Sequence, residues 1–304
     1  MNEEKIGIIY GFSAYLIWGF LPLYWKLVES VPAWEVLAHR VIWSFVFMLF
    51  FILVIRRWQL FMEECKYVFS YWKRWLGLLA ASILISLNWV TYIWAVNAGH
   101  VLDASLGYYI NPLLNVVLGI LFLQEKFTPL QWMAVFSAFI GVSFMTFHFG
   151  SVPWVALVLA MTFGLYGLLK KVADLNPIFA LGIETMFITP IALIYLSVIE
   201  WNGTGSLSLD LVGVFLIGTG AITAIPLLLF AQGAKRIPLS LIGFLQYIAP
   251  TIMLLIGVFL LNESFTYVHA VTFLFIWVGL ILYTYERYRG KRHPKPLTTT
   301  QLQD

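Results

Sequence analysis

Two charged side chains lie inside long apolar runs of the sequence. Arg40 stands near the start of the run 36–55, and Glu184 stands within the run 178–198. A charge on a membrane-spanning helix costs about 2.5–3.5 kcal/mol on insertion scales, so such residues face a partner or a polar cavity. Three roles are open. The two residues form a salt bridge that gates or lines a cavity, Arg40 binds an anionic substrate group while Glu184 carries a proton, or a fixed ion pair holds two helices together.

Two prolines in other apolar runs interrupt helical hydrogen bonding. Because proline lacks an N–H, Pro112 and Pro250 leave the carbonyls of Tyr108 and Gln246 without a helical partner. Such groups are tolerated at membrane depth only where protein or water meets them. The helix faces that carry them are predicted to line a central cavity, and the alternative is a kinked, close-packed helix crossing. The two faces are Tyr108, Pro112, Asn115 and Gly119, and Gln246, Pro250, Met253 and Gly257.

Further aromatic and amide side chains are candidates for the same cavity. Asn88 and Tyr92 are four residues apart and share one helix face. An aromatic cage with amide groups suits a neutral or cationic organic solute better than a bare ion. The wider candidate set also includes Asn97, Tyr166 and Gln232. The predicted substrate-binding residues are Trp18, Arg40, Asn88, Tyr92, Tyr108, Asn111, Asn115, Glu184, Gln246 and Tyr247, with Pro112 and Pro250 as hinge or kink positions.

No motif in the sequence indicates catalysis. A Walker A loop is absent, which excludes ATP-driven transport by this chain alone. The five histidines have no metal-ligand spacing, and no Ser-His-Asp set can be argued from spacing. We therefore predict no enzyme, no metal site and no cofactor, with coupling to a proton left open. Glu125 and Glu263, at helix ends, are interpreted as capping or interfacial residues.

The elements that position these residues are membrane helices. Apolar residues make up 61% of the 304 residues and charged residues 11%, against about 25% charged in soluble domains. A bilayer core needs roughly 20 apolar residues per helix. Ten runs qualify: 6–26, 36–55, 75–96, 101–123, 130–148, 152–169, 178–198, 211–230, 239–261 and 267–285. The predicted fold is an all-α polytopic membrane protein with ten transmembrane helices.

The distribution of basic residues predicts the orientation of these helices. If the N-terminus is cytoplasmic, all but Lys26 and Arg40 of the 18 basic residues fall on the cytoplasmic side. This bias is typical of helical membrane proteins and predicts that both termini lie in the cytoplasm. The segment 58–75, rich in aromatic and basic residues, is predicted to lie at the cytoplasmic membrane surface.

The second half of the chain repeats the first. Tyr-Ile-Asn-Pro at 109–112 returns as Tyr-Ile-Ala-Pro at 247–250, and Gly141 returns as Gly279, both at an offset of 138. The predicted domains are a first five-helix repeat, 1–148, a second five-helix repeat, 149–286, and a cytoplasmic tail, 287–304. An odd number of helices per copy gives the copies opposite orientations, as in many secondary transporters. The alternative is a chance match of glycines and aromatics in apolar sequence.

Several strings resemble a known family. Each repeat closes with proline, twelve residues and then glutamate, at Pro112 to Glu125 and Pro250 to Glu263. The other strings are His39 to Ser44, Ile93 to Asn97, Ala104 to Tyr108, Ile183 to Met186 and Phe273 to Trp277. Over residues 6–285 the chain resembles the drug/metabolite transporter superfamily, with EamA domains, and its RarD branch, which carries the name chloramphenicol-sensitive protein. The resemblance implies ten helices, a bacterial inner-membrane location and transport of a small solute.

The predicted function is secondary transport, expected to be export, of a small organic metabolite or drug-like solute by alternating access. The alternatives are a lipid scramblase or an intramembrane lipid-modifying enzyme, and a passive channel. The expected partners are a small-molecule substrate and the lipid bilayer. No nucleic-acid partner is expected, and a homodimer is left open without a supporting feature.

Overall fold

The computed structural model describes the backbone of residues 2–97, 101–149, 154–173, 175–208, 210–260 and 266–292. The side chains of these residues are also described, except for those of 96–97, 101–106, 149, 257, 287–288 and 290–292. Glu263 and the tail residues 293–304 lie outside the described residues, as does the side chain of Asn97.

All regular elements in the described ranges are helical. The helices are α1 Glu3–Trp25, α2 Ala33–Val54, α3 Trp58–Phe69, α4 Trp72–Asn97, α5 Val101–Leu123, α6 Pro129–Phe149, α7 Trp154–Val172, α8 Pro177–Trp201, α9 Leu211–Arg236, α10 Leu239–Gln246, α11 Ile248–Leu260 and α12 Tyr267–Arg292, with a 3₁₀ turn at Lys26–Val28.

The number of membrane helices agrees with the sequence prediction. By length and composition, nine helical stretches of the described residues could cross a membrane, and α10 and α11 together form one of them, Leu239–Leu260. A tenth apolar stretch, Gly107–Leu123 in α5, is shorter within the described residues. The all-α polytopic membrane fold is confirmed.

The short helix α3 packs on the ends of its neighbours. Phe61 and Val68 of α3 are buried together with Ile52 of α2 and with Phe179 and Ile183 of α8. Their polar neighbours on α3, such as Gln59 and Glu63, are exposed. This amphipathic pattern fits the predicted position of the segment 58–75 at a membrane surface.

The helices divide into two compact units, each of which contains helices of both repeats. The first unit comprises Met1–Leu123 and Pro153–Glu263, and the second comprises Gln124–Val152 and Ser264–Asp304. In the described residues the first unit therefore holds α1–α5 and α7–α11, and the second holds α6 and α12. The predicted domain bounds follow the repeats instead, and they stay a prediction.

The second unit shows the relation between the repeats. A Cβ on Gly141 would lie 2.9 Å from the Thr272 carbonyl oxygen, and one on Gly279 would lie 2.7 Å from the Ala134 carbonyl oxygen. These contacts run in opposite directions along α6 and α12, so the two helices are antiparallel. Gly279 is the repeat equivalent of Gly141, and Ala134 is the repeat equivalent of Thr272, both at the offset of 138. The two contacts are therefore equivalent by the repeat. The two copies are therefore inverted relative to each other, as five helices per repeat require.

The first unit contains a matching contact between equivalent residues. The Tyr247 hydroxyl donates a hydrogen bond to the Tyr109 carbonyl at 3.2 Å, and these two tyrosines are 138 residues apart. Both side chains are buried. Tyr247 also stands at the break between α10 and α11, where the missing N–H of Pro250 interrupts helical bonding.

Candidate functional site

The first unit encloses a cavity of about 180 Å³ lined by residues from both repeats. Helices α1, α2, α4 and α5 contribute from the first repeat, and α7, α9, α10 and α11 from the second. Seven of the ten predicted substrate-binding residues line it, and so does the predicted hinge residue Pro250. The seven are Trp18, Arg40, Asn88, Tyr92, Tyr108, Asn111 and Gln246.

Close packing of α2 on α9 positions Arg40. A Cβ on Gly220 would lie 2.3 Å from the Trp43 carbonyl oxygen, so only glycine allows α9 this close to α2. Ser44 Oγ donates to the Gly220 carbonyl at 3.1 Å in the same crossing. One turn further along α9, Thr223 Oγ1 accepts a 3.1 Å hydrogen bond from Arg40 Nε.

Two tryptophans that the sequence analysis did not select contact the Arg40 guanidinium. Its Cζ atom lies 4.8 Å from the centroid of the Trp25 ring and 4.7 Å from that of the Trp89 ring. Both distances are within the range of cation–π attraction. The two rings and Thr223 all line the cavity. The sequence shows a lone arginine in an apolar run and tryptophans on other helices. It does not show which of these rings contact the arginine.

Aromatic rings form most of the remaining wall. Tyr92 and Tyr108 meet edge to face with ring centroids 6.1 Å apart. Trp18 meets Phe163 edge to face at 5.8 Å. Tyr15 also lines the cavity, and its buried hydroxyl has no hydrogen-bond partner among the described residues. The wall therefore combines apolar surface with a few unused polar atoms.

Amide side chains join α5, α7 and α10 at one side of the cavity. Asn111 Nδ2 donates to the Ala160 carbonyl at 2.7 Å, and Asn115 Nδ2 donates to Asn111 Oδ1 at 3.1 Å. Asn115 Nδ2 also reaches Gln246 Oε1 at 3.4 Å. Asn115 itself is buried and does not line the cavity, and its Nδ2 makes both of these bonds.

The two predicted proline positions differ in structure. Pro250 lines the cavity at the break between α10 and α11. Pro112 lies inside α5, which continues through it, and packs against α10: a Cβ on Gly243 would lie 2.8 Å from the Pro112 carbonyl oxygen. The α5 face predicted from the sequence therefore lines the cavity at Tyr108 and forms a close helix crossing at Pro112.

The hypothesised ion pair between Arg40 and Glu184 is wrong for this structure. Glu184 Oε1 accepts from Lys170 Nζ at 2.6 Å, and Glu184 Oε2 accepts from the Tyr166 hydroxyl at 3.4 Å. Both charged side chains are buried. The sixth apolar run ends at 169 and leaves Lys170 outside it, whereas α7 continues to Val172. The four-residue spacing of Tyr166 and Lys170 on one helix face was the available signal.

Two other predicted site residues do not line the main cavity. Glu184 lines an adjacent small cavity of about 20 Å³, which shares Ile85, Trp89 and Leu227 with the main one. Tyr247 packs in the first unit through its bond to Tyr109. A role in substrate binding remains a prediction for all ten residues.

Contacts of lysine side chains close one end of the first unit. Lys171 Nζ donates to the carbonyls of Ala234 and Ile237, at 3.0 and 2.7 Å. Lys235 Nζ donates to the Leu175 carbonyl. These bonds tie the C-terminal end of α9 to the C-terminal end of α7 and to the linker that follows it.

The start of α1 packs on the same end of α9. Glu3 and Arg236 form an ion pair at 3.0 Å. A Cβ on Gly7 would lie 2.6 Å from Arg236 Cβ, and one on Gly233 would lie 3.0 Å from the Gly11 backbone nitrogen. The cavity is lined by the later part of α1, from Tyr15 to Trp25. Helix α1 is therefore packed tightly on α9 before the part of α1 that lines the cavity begins.

The described residues contain no cluster of three or more side chains that could hold a metal ion. The main cavity offers one guanidinium, aromatic surface and amide groups. Such an arrangement binds an organic molecule by charge, stacking and hydrogen bonding.

Both halves of the chain match one family of membrane proteins. Residues 5–147 and 151–285 each match the model of the EamA-like transporter family. The chain is 51% identical to "Uncharacterized transporter YojE" of Bacillus subtilis (strain 168), over 96% of this chain and 98% of that protein. It is 42% identical to "Protein RarD" of Escherichia coli (strain K12), over 96% of this chain and 98% of that protein.

More distant relatives extend the comparison. The chain is 29% identical to "Chloramphenicol-sensitive protein RarD" of Pseudomonas aeruginosa, over 93% of this chain and 94% of that protein. A solved crystal structure that is 18% identical matches with a TM-score of 0.71, over 91% of this chain and 97% of that chain, and shares the fold. The predicted resemblance is confirmed. The chain belongs to the EamA-like transporter family.

Proposed function

We propose that this protein is a secondary transporter that exports a small organic solute by alternating access through the main cavity. Membership of a family of membrane transporters supports transport. The observation that carries the substrate type is the cavity itself, with one guanidinium, aromatic walls and amides from both repeats. Its volume of about 180 Å³ is below the ~300–1,000 Å³ typical of drug-sized ligands, which favours a metabolite-sized solute.

The closed end of the first unit supports alternating access. Contacts of Glu3, Gly7, Lys171 and Lys235 join α1 and α7 to α9 at one end of the first unit. In this proposal that end is the gate on one side of the cavity, and these contacts separate during transport. An inverted repeat supplies a second state of similar energy, in which the two halves exchange conformations.

We further propose that the protein lies in a bacterial inner membrane with both termini in the cytoplasm. The clustering of basic residues supports this orientation. The closed end carries Lys171, Lys235 and Arg236, so it faces the cytoplasm in this orientation. The conformation described here then has its cavity on the outer side of the closure.

A reversible cross-link tests whether the closed end must open. Glu3 is exposed and Arg236 is partly exposed, so both positions tolerate cysteine in a Cys65→Ser background. We expect a short bis-thiosulfonate cross-linker between Glu3→Cys and Arg236→Cys to abolish solute counterflow in proteoliposomes. Dithiothreitol should restore it.

The two single-cysteine variants, treated with the same reagent, are the controls and should remain active. Full counterflow in the quantitatively cross-linked protein would rule out passage through this end. Alternating access at the proposed closure would then be wrong.

A further inference from the structure

The cation of the main cavity differs from the four cations at the C-terminal ends of α7 and α9. Lys170 is paired with Glu184 and Arg236 with Glu3, while Lys171 and Lys235 bind backbone carbonyls. Arg40 has the Thr223 hydroxyl and two indole rings as neighbours, and no carboxylate of the described residues lies within ion-pair distance.

The guanidinium of Arg40 has unused binding capacity. It carries five N–H donors, and within the described residues only the Nε donor is hydrogen-bonded, to Thr223. The indole rings attract the charge without using these donors. A cation among membrane helices is costly unless a partner compensates it. A bound anion would supply that partner and accept the remaining donors.

The same cavity is unfavourable for a cationic solute. Arg40 would repel it, and no described residue of the lining is an aspartate or a glutamate. The aromatic rings that attract cations are already occupied in part by Arg40, since Trp25 and Trp89 both contact it. The cationic solute that the aromatic and amide side chains suggested in the sequence is therefore disfavoured.

The walls favour an organic anion over an inorganic one. Trp18, Phe163, Tyr92 and Tyr108 offer aromatic surface, which would not compensate an inorganic anion for its lost hydration. A planar guanidinium fork matches a carboxylate in a bidentate arrangement. Arg40 is the one cation in the described lining, so it balances one negative charge on the solute.

From these observations we propose that the transported solute is a small monocarboxylate with an apolar body, and that Arg40 binds its carboxylate. This assignment rests on the proposed transport function. The apolar body lies against the aromatic wall, and the amides of Asn111 and Gln246 meet any further polar group of the solute.

A matched series of probes tests the charge requirement. Benzoate, phenylacetate and 4-methylpentanoate are each compared with the corresponding neutral amide and with the primary amine on the same body. Binding is measured as the shift in melting temperature of the purified protein in detergent, and transport as counterflow in proteoliposomes. We expect carboxylates to stabilise the protein and to drive counterflow, amides to bind at least about tenfold more weakly, and amines to do neither.

Variants of Arg40 connect the result to this residue. Arg40→Gln should remove the preference for acid over amide, and Arg40→Lys should keep a reduced preference, because a point charge remains without the fork. Arg74→Gln is the matched control. It removes a guanidinium that lies 3.6 Å from the Tyr67 ring, outside the cavity, and should leave the preference unchanged. If Arg40→Gln does not fold, Arg40→Lys and the wild-type series still decide the question.

The outcomes separate the two proposals. If carboxylates bind through Arg40 but no probe drives counterflow, the site stands and the transport function fails. If amides or amines drive counterflow and Arg40→Gln does not affect it, transport stands and the monocarboxylate assignment is overturned. The assignment is equally overturned if no carboxylate of the series stabilises the wild-type protein.

Discussion

Lys170 and Glu184 depend on each other because both are buried. Their charged atoms are 2.6 Å apart, between α7 and α8. The Tyr166 hydroxyl donates to the Glu184 carboxylate, and Ser82 Oγ donates to the Glu184 backbone carbonyl. Removing one partner of such a pair leaves an uncompensated charge in a medium that solvates it poorly. This pair is therefore a structural contact, and the predicted proton-carrying role of Glu184 stays a prediction.

Single and double substitutions measure this dependence. We expect Lys170→Met to lower the free energy of unfolding by about 3–5 kcal/mol, because it leaves the Glu184 carboxylate without its cation. The double variant Lys170→Met/Glu184→Leu should recover most of the loss. Denaturant titration of the purified protein in detergent measures both.

The ion pair of Glu3 and Arg236 is the matched comparison, because Glu3 is exposed and Arg236 is partly exposed. Arg236→Gln should cost less than about 1 kcal/mol. Equal losses for Lys170→Met and Arg236→Gln would show that burial does not set the strength of the Lys170 pair.

At the scale of helices, glycines control how closely neighbours pack. Gly279→Ala places a methyl group 2.7 Å from the Ala134 carbonyl oxygen in the antiparallel pair of α6 and α12. Backbone cannot yield as a flexible side chain does, so we expect a loss of stability of about 1–3 kcal/mol. The midpoint of thermal unfolding in detergent reports the change.

Gly77 provides the control for this substitution. A Cβ there would meet nothing within 4 Å, and the residue lies inside α4. Gly77→Ala should be neutral or should stabilise the protein by up to ~1 kcal/mol, because alanine favours helix more than glycine does. If Gly279→Ala is no worse than Gly77→Ala, the crossing of α6 and α12 does not require glycine.

The helices were predictable from the sequence, and their ends were less so. Apolar runs reveal each span, because lipid demands about 20 apolar residues. They do not show that α7 continues through Lys170, whose charge is buried by pairing, or that the ninth span breaks at Tyr247. Helix α12 likewise continues to Arg292, past the predicted end at 285.

Part of the cavity lining could be predicted because polar residues are conspicuous in apolar runs. Arg40, Tyr108 and Gln246 stood out as polar groups in apolar runs, and they line one cavity. Their neighbours could not be derived, because Trp25 and Trp89 reach Arg40 through tertiary packing of α1 and α4 against α2. Many tryptophans in this chain look equivalent in sequence.

The orientation of the whole molecule can be measured with single cysteines. Burial and the neighbouring Glu64 carboxylate raise the pKa of the Cys65 thiol, so at neutral pH less of it is the reactive thiolate. Cys65→Ser removes this slow background. In intact cells we expect a membrane-impermeant maleimide to label Asn202→Cys, and to label Ser70→Cys only after permeabilisation.

Both test positions are exposed, so access to the reagent depends on the side of the membrane. Labelling of Ser70→Cys and not of Asn202→Cys in intact cells would reverse the proposed orientation. Labelling of both in intact cells would mean that the two loops share one side and that the number of spans between them, five in this assignment, is wrong.

The contact of Tyr109 with Tyr247 has a consequence for how the two halves exchange roles. Equivalent residues that touch each other lie on either side of the pseudo-twofold axis of the first unit, which passes between them. A point on such an axis is carried onto itself when the halves swap conformations. This tyrosine pair is therefore suited to be the pivot of the motion. Helices on either side can tilt in opposite senses around it, while the separation of the two tyrosines stays constant.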